Sequence, residues 1–156
     1  WMEELKRYPE KFYVHELYRE YPDEKIDVEK EQKLIEQYDR IVFQFPFYWF
    51  NVPSMLKKWM DEVLTHGWAY GSKSGFKMGG KKIALAISVG VKLEEYAPDG
   101  TYKYTMEELT RPLELSFEYV KADYRRFFVF DGLDHNISAE RVEESIPQYL
   151  DFLENF

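Results

Sequence analysis

The sequence contains no cysteine, which excludes disulfides, thiolate metal sites and thiol nucleophiles. It also contains no apolar run of about 18 residues and nothing that resembles a signal peptide, so we expect a cytoplasmic protein. Basic residues are scarce, because 21 Lys and Arg stand against 29 Asp and Glu and give a formal net charge of -8. Nucleic-acid binding needs a basic surface, and we therefore expect no nucleic-acid partner.

Metal and hydrolase signatures are missing as well. The three histidines, His15, His66 and His135, are not spaced three or four residues apart, and no cysteine assists them. We therefore expect no metal site. The sequence has neither a G-x-S-x-G nor a P-loop pattern, which disfavours serine hydrolases and nucleotide triphosphatases.

Aromatic residues, in contrast, are abundant. They make up 19% of the chain, with 13 Tyr, 12 Phe and 4 Trp. The length of 156 residues predicts a single domain over residues 1–156. One core of that size needs fewer aromatic residues, so we expect some of them to line a binding site or an interface.

The hydrophobic pattern predicts an alternation of strands and helices. Apolar strand-like runs occupy residues 12–17, 40–45, 82–88 and 127–130. Amphipathic or capped helices are predicted over residues 27–38, from Pro53 to about Gly67, from Thr105 with Glu108 as a capping box to about Val120, and from Ser138 onward. This alternation predicts an α/β fold with a doubly wound parallel sheet, in which ligands bind beyond the carboxyl ends of the strands. The loops after Phe45 and Ser88 are therefore the candidate site.

The first of these loops carries four consecutive aromatic residues, Phe47 to Phe50, where a polar loop is the norm. One interpretation is that they plug the end of the sheet or form a dimer interface. The other is that they form the wall of a site for a flat, conjugated ligand, whose polar edge would bind backbone N–H groups. The spacing alone leaves both interpretations open.

The residues of this region resemble a known family. The run Gln44–Pro53, continued by Leu56–Val63 and Gly67–Gly71, is similar to the NAD(P)H:quinone oxidoreductase family, which includes DT-diaphorase, the modulator of drug activity B, bacterial general stress proteins and ancillary subunits of potassium-efflux systems. The resemblance implies a flavodoxin-like fold with five parallel strands in the order 2-1-3-4-5. The family's first strand and its phosphate-binding loop would precede Trp1, and we expect the natural protein to have them.

The resemblance also implies a flavin cofactor, FMN or alternatively FAD. The residues of the first loop would hold the isoalloxazine ring: Pro46, Phe47, Tyr48, Trp49, Phe50 and Asn51. The second loop would contact its pyrimidine side through Ser88, Val89, Gly90 and Val91, although a glycine here also suits an ordinary turn. Valines stand where the family often has Thr and Gly, so backbone donors would have to replace side-chain ones. Tyr96 matches the family tyrosine near the flavin, so the resemblance makes it both a cofactor-binding and a catalytic candidate. The histidine that accompanies this tyrosine in DT-diaphorase is replaced here, and Tyr102, the residue nearest its position by spacing, is the second catalytic candidate.

The implied activity is a two-electron, ping-pong transfer from NADH or NADPH through the flavin to a quinone. The resemblance further implies a homodimer with its active sites at the subunit boundary. Two alternatives remain open. One is a regulatory subunit that binds a potassium-efflux transporter in the membrane, and the other is a one-electron carrier like a small flavodoxin. The long loop at Gly67–Gly80 argues against the carrier.

Overall fold

The computed structural model describes all residues from Trp1 to Phe156. Its elements are α1 (Met2–Leu5), α2 (Leu17–Glu20), α3 (Val28–Glu36), β1 (Arg40–Pro46), α4 (Ser54–Val63), β2 (Lys82–Ser88), α5 (Met106–Tyr119), β3 (Asp123–Phe130) and α6 (Ala139–Asn155), with a short 3-10 turn at Leu93–Glu95. No helix combines the length and the apolar composition that crossing a membrane requires.

The three strands form one parallel sheet in the order β1-β2-β3. The central strand β2 is buried along almost its whole length, as its uninterrupted apolar sequence predicts. The register pairs Pro46 with Ser88 and Ser88 with Phe130, so all three strands end at the same edge. The loops that follow them therefore start side by side.

Helices cover both faces of this sheet. Ile83, Leu85 and Ile87 of β2 belong to the large core that includes buried residues of α3, α4 and α5. The alternating residues Ala84 and Ala86 face the other way and pack with α1 and α6. Side chains on a strand alternate between faces, and the small alanines let the α6 side pack close. The predicted doubly wound α/β fold is confirmed.

Two predicted helix starts are also confirmed. The Thr105 side chain accepts a hydrogen bond from the backbone N–H of Glu108, whose carboxylate accepts one from the N–H of Thr105. This capping box satisfies two N–H groups that a helix end otherwise leaves without partners. The Ser138 side chain caps the start of α6 by accepting a hydrogen bond from the backbone N–H of Arg141.

The strand predicted over residues 12–17 is wrong in this structure. The chain is irregular through Glu16 and then enters α2. The physical reason is the lack of a neighbour, because an apolar groove of about 750 Å³ separates this segment from β1. The N–H groups of Tyr13, Val14 and His15 make no backbone hydrogen bond. In the order 2-1-3-4-5, the family's first strand would lie between residues 12–17 and β1. That strand order stays a prediction.

A buried carboxylate of α3 binds three aromatic side chains from other parts of the chain. Glu31 of α3 is 1% exposed and accepts hydrogen bonds from the indole of Trp59 at 2.7 Å, the phenol of Tyr21 at 2.6 Å and the imidazole of His15 at 2.8 Å. Burial alone would raise the pKa of Glu31, but these three hydrogen bonds outweigh it and lower the pKa below its ordinary value. The charged carboxylate thereby fixes α4 against α3.

Candidate functional site

The two predicted loops meet at the carboxyl edge of the sheet. The N–H of Phe47 donates to the carbonyl oxygen of Ser88 at 2.8 Å, one residue beyond the paired strands. The first loop, Pro46–Asn51, and the second loop, Ser88–Val91, therefore form one continuous border. Parallel strands that end in register dictate this arrangement.

The first loop contains a strained turn. Trp49 and Phe50 have φ angles of 53° and 58°, and the N–H of Asn51 donates to the carbonyl of Tyr48 at 3.0 Å. These are the features of a type I′ turn, whose two central positions normally hold Gly, Asn or Asp. Bulky residues in this conformation cost about 1–3 kcal/mol each and persist where the surroundings enforce them. Strain of this kind points to a functional role for the turn.

The turn exposes both aromatic side chains and backbone donors. Trp49 is 93% exposed, and the N–H groups of Trp49 and Phe50 make no hydrogen bond within the chain. The exposed Asn51 side chain accepts a hydrogen bond from the backbone N–H of Val52 at 2.8 Å. Of the two interpretations of the aromatic run, plugging the sheet fits Phe47, which packs against the core, and does not fit Trp49.

The second loop is unstrained and supported from behind. Val89 is 1% exposed, and its N–H donates to the carbonyl of Phe130 at 2.9 Å. The residues after β3, Asp131–Asp134, return three backbone hydrogen bonds to the carbonyls of Val89, Gly90 and Val91. The N–H groups of Gly90 and Val91 make no hydrogen bond within the chain. They could act as the backbone donors that the sequence analysis expects here, where valines replace side-chain donors, and that role stays a prediction.

The segment Asp131–Asp134, which we call the β3 loop, was missed by the sequence analysis. Its signal was present, because Asp131-Gly132 follows the apolar end of a strand in the same way as the two predicted loops do. Gly132 has a φ of 76°, and a Cβ there would lie 3.0 Å from an Arg141 guanidinium nitrogen. Glycine adopts this positive φ without strain, which favours it at the turn between β3 and α6.

Two tyrosines close the border between the loops. The rings of Tyr96 and Tyr102 are 5.0 Å apart between centroids. Tyr96 lies 6.4 Å from the Phe47 ring and Tyr102 lies 5.1 Å from the Phe50 ring, both edge to face. The structure therefore brings the two predicted catalytic residues against the first loop, and their catalytic role stays a prediction.

The Tyr96 phenol is held in its protonated form. Burial, followed by the neighbouring Tyr102 and the carboxylate of Asp134, raises its pKa above the ordinary tyrosine value. A protonated phenol at neutral pH is a hydrogen-bond donor as well as an acceptor. Tyr96 thus offers a neutral donor at the point where the two loops meet.

These residues fit the cofactor that the resemblance implies. An isoalloxazine ring has apolar faces and a polar pyrimidine edge, and it needs flat walls and several donors in one plane. The first loop offers an exposed indole and two free N–H groups on a strained turn, and the second loop offers two more from Gly90 and Val91. Which of these residues contact a flavin stays a prediction.

Comparisons with known proteins agree with this architecture. A family model described as "Flavodoxin-like fold" matches residues 1–155. The chain is 45% identical to an uncharacterized NAD(P)H oxidoreductase, YrkL, of Bacillus subtilis, over 98% of this chain and 86% of that protein. It is also 45% identical, over 66% of this chain and 56% of the relative, to the glutathione-regulated potassium-efflux system ancillary protein KefG of Pectobacterium carotovorum.

A solved structure shows the same similarity in three dimensions. The general stress protein 14 of Treponema denticola, determined in complex with FMN, is 47% identical to this chain. It superimposes with a TM-score of 0.91 over 99% of this chain and 87% of that protein. By sequence and by structure, this chain belongs to the flavodoxin-like fold family.

Proposed function

We propose that this protein is a flavin-dependent NAD(P)H:quinone oxidoreductase with FMN as its cofactor. The observation that carries the proposal is the strained turn at Trp49 and Phe50, which holds two free backbone donors and an exposed indole beside two phenols. The relative from Treponema denticola binds FMN and YrkL is named an NAD(P)H oxidoreductase, which supports both parts of the proposal. FAD remains the alternative cofactor.

When bound, a flavin supplies two-electron chemistry between a nicotinamide and an acceptor. The protein's contribution is position and electrostatics. The N–H groups of Trp49, Phe50, Gly90 and Val91 would bind the polar edge of the ring, where negative charge develops on reduction. Fixed backbone donors favour that charge without reorganisation, because the turn and the supported second loop hold them in place before the ligand binds.

The phenols border the side on which the substrates would bind. Tyr96 is protonated and neutral, so it would donate a hydrogen bond to a quinone oxygen as that oxygen gains negative charge. Phe47 and Phe50 pack against the two phenols and limit access of water to that side. We infer a ping-pong order, in which nicotinamide and quinone occupy the same place beside the flavin in turn.

The exposed aromatics of the first loop also favour a homodimer. Tyr48 and Trp49 are 62% and 93% exposed, and aromatic residues are enriched at the cores of protein interfaces. A twofold contact through this loop would place each site at the subunit boundary. Sedimentation of the FMN-loaded protein tests this point, and a stable, active monomer at micromolar concentration would contradict it.

The test of the main proposal is steady-state turnover of the FMN-loaded protein with NADH or NADPH and a simple benzoquinone. We expect parallel lines in double-reciprocal plots. Tyr96→Phe should lower the quinone reductase rate, whereas Tyr104→Phe should not, because Tyr104 is 57% exposed and outside the ring contacts described above. Absence of quinone-dependent NAD(P)H oxidation, or equal rates in both variants, would refute the assignment.

A second candidate function is regulation of a potassium-efflux transporter. The similarity to KefG favours it, although that match covers 103 residues and about half of the relative. Copurification with such a transporter and a change in its ion flux would support regulation. In that case the reductase rate of the transporter-bound protein decides whether both functions coexist.

A further inference from the structure

Asp131, the first residue after β3, has both carboxylate oxygens engaged. Its Oδ2 accepts the backbone N–H of Leu93 at 2.7 Å, and its Oδ1 accepts the Nη2 of Arg141 at 2.5 Å. The Arg141 guanidinium lies over the Phe130 ring, 5.2 Å from its centroid. Charge-assisted bonds in two directions fix the rotation of the carboxylate. Asp131 is therefore a rigid acceptor aimed at one backbone amide.

That amide begins the turn that carries the two phenols. Leu93 opens the 3-10 turn, and the N–H of Tyr96 donates back to the carbonyl of Leu93 at 3.0 Å. The N–H of Tyr102 donates to the carbonyl of Glu95, also at 3.0 Å. The Leu93 side chain is 45% exposed, so packing does not anchor this end of the turn. Its hydrogen bond to Asp131 does.

We infer that Asp131, oriented by Arg141, is a positioning residue that sets the location of Tyr96 and Tyr102 relative to the first loop. It lies outside the ring contacts between the phenols and that loop and acts through the backbone of Leu93. The inference deepens the proposed function and depends on it for its kinetic consequence. If the phenols border the quinone, loss of the Asp131–Leu93 hydrogen bond weakens quinone binding more than FMN binding. The reason is that other backbone donors would hold FMN.

The test compares Asp131→Ala and Asp131→Asn with Asp123→Ala. Asp123 pairs with Arg125 at the same distance of 2.5 Å, but at the opposite end of β3, and so provides a matched control. For Asp131→Ala we expect the quinone KM to rise roughly tenfold, since small displacements of positioning groups have effects of that order or larger. The FMN dissociation constant should change by less than about twofold. Asp131→Asn should restore part of the KM, because its amide oxygen can still accept the Leu93 N–H.

A second measurement does not depend on turnover. Amide hydrogen exchange at Leu93, Tyr96 and Tyr102 should be faster in Asp131→Ala than in the unmodified protein, and unchanged in Asp123→Ala. If Asp131→Ala does not fold, the comparison is made with Asp131→Asn. An active protein whose KM and exchange are the same in all variants would overturn the inference. An FMN-loaded protein without quinone reductase activity would instead contradict the proposed function, and the exchange rates would then decide the positioning inference alone.

Discussion

The two loops of the candidate site, Pro46–Asn51 and Ser88–Val91, follow neighbouring strands and border the same edge of the sheet, yet they are built in opposite ways. The first is aromatic, exposed at its tip and strained, with positive φ at Trp49 and Phe50. The second is half-buried, with Val89 almost completely buried, and the β3 loop supports it through hydrogen bonds to its carbonyls. Both leave adjacent N–H groups free for a ligand.

The difference shows two physical routes to the same preorganised donors. In the first loop, an unfavourable backbone conformation turns the N–H groups outward, and α4 and the sheet hold the two ends of the turn. In the second, neighbouring backbone satisfies the carbonyls and leaves only the N–H groups without partners. Stability should therefore depend strongly on the second loop and weakly on the first, whereas flavin binding should depend on both.

The largest expected effect is on stability, at the second loop. Val89→Asp places a carboxylate at a position that is 1% exposed and should lower the free energy of unfolding by roughly 3–5 kcal/mol. The matched change in the first loop, Trp49→Asp, should alter the unfolding free energy of a single subunit by less than about 0.5 kcal/mol, apart from any effect on the proposed dimer contact. Urea unfolding of both variants measures the difference. Equal losses would show that the two loops do not differ in the way the structure indicates.

The next effect concerns α4, the helix that follows the first loop, which Glu31 contacts through Trp59. Glu31→Gln should lower the free energy of unfolding by about 1.5–3 kcal/mol, because hydrogen bonds to a buried charge are lost. The hydrogen bonds hold the folded-state pKa of Glu31 below the ordinary glutamate value. Its stabilising contribution is therefore present above that ordinary value and is lost as pH falls through the folded pKa. The difference between the two proteins should therefore shrink on acidification from neutral pH to about pH 3.

Glu29→Gln is the control for this experiment, since Glu29 is an exposed member of an i,i+4 ion pair on the same helix. It should change the free energy of unfolding by less than about 0.5 kcal/mol. Unfolding by urea at several pH values provides the measurement. A difference between Glu31→Gln and the unmodified protein that grows as pH falls would contradict the charged state assigned to Glu31.

A smaller effect is expected on ligand affinity. Trp49→Ala should leave the fold intact and weaken FMN binding by about 1 kcal/mol, or roughly fivefold, through loss of a stacked aromatic ring. Titration of FMN fluorescence measures the dissociation constant, with Tyr104→Ala as a control that removes another exposed aromatic ring. Unchanged affinity and an unchanged quinone reductase rate in Trp49→Ala would contradict the role of the first loop.

The smallest effect tests the strain itself. Trp49→Asn should raise the free energy of unfolding by about 0.5 kcal/mol, because Asn adopts positive φ more readily and the 93% exposed indole contributes little packing. It should weaken FMN binding to the same extent as Trp49→Ala. Thermal unfolding of the two variants measures the strain energy of the turn, whereas their FMN affinities measure the contribution of the indole ring to binding. A lower stability for Trp49→Asn than for Trp49→Ala would show that the turn is not strained.

The sequence predicted the elements whose patterns are local. Continuous apolar runs located β1 and β2, and the Thr105–Glu108 capping box located the start of α5. Residues 12–17 have a comparable apolar pattern but form no strand, because a strand exists only through hydrogen bonds to a neighbour and none adjoins it here. Periodicity reports which residues prefer burial, and it does not report what they pair with.

For the site, the sequence by itself determined where the two loops begin, which aromatic residues they carry, and the family that those residues resemble. Only the tertiary structure decided that Trp49 and Phe50 lie in a strained turn, that Phe50 meets Tyr102, and that the β3 loop supports Gly90. Chain order and residue type are encoded locally, whereas backbone strain and hydrogen bonds between distant segments exist only after the sheet has brought those segments together.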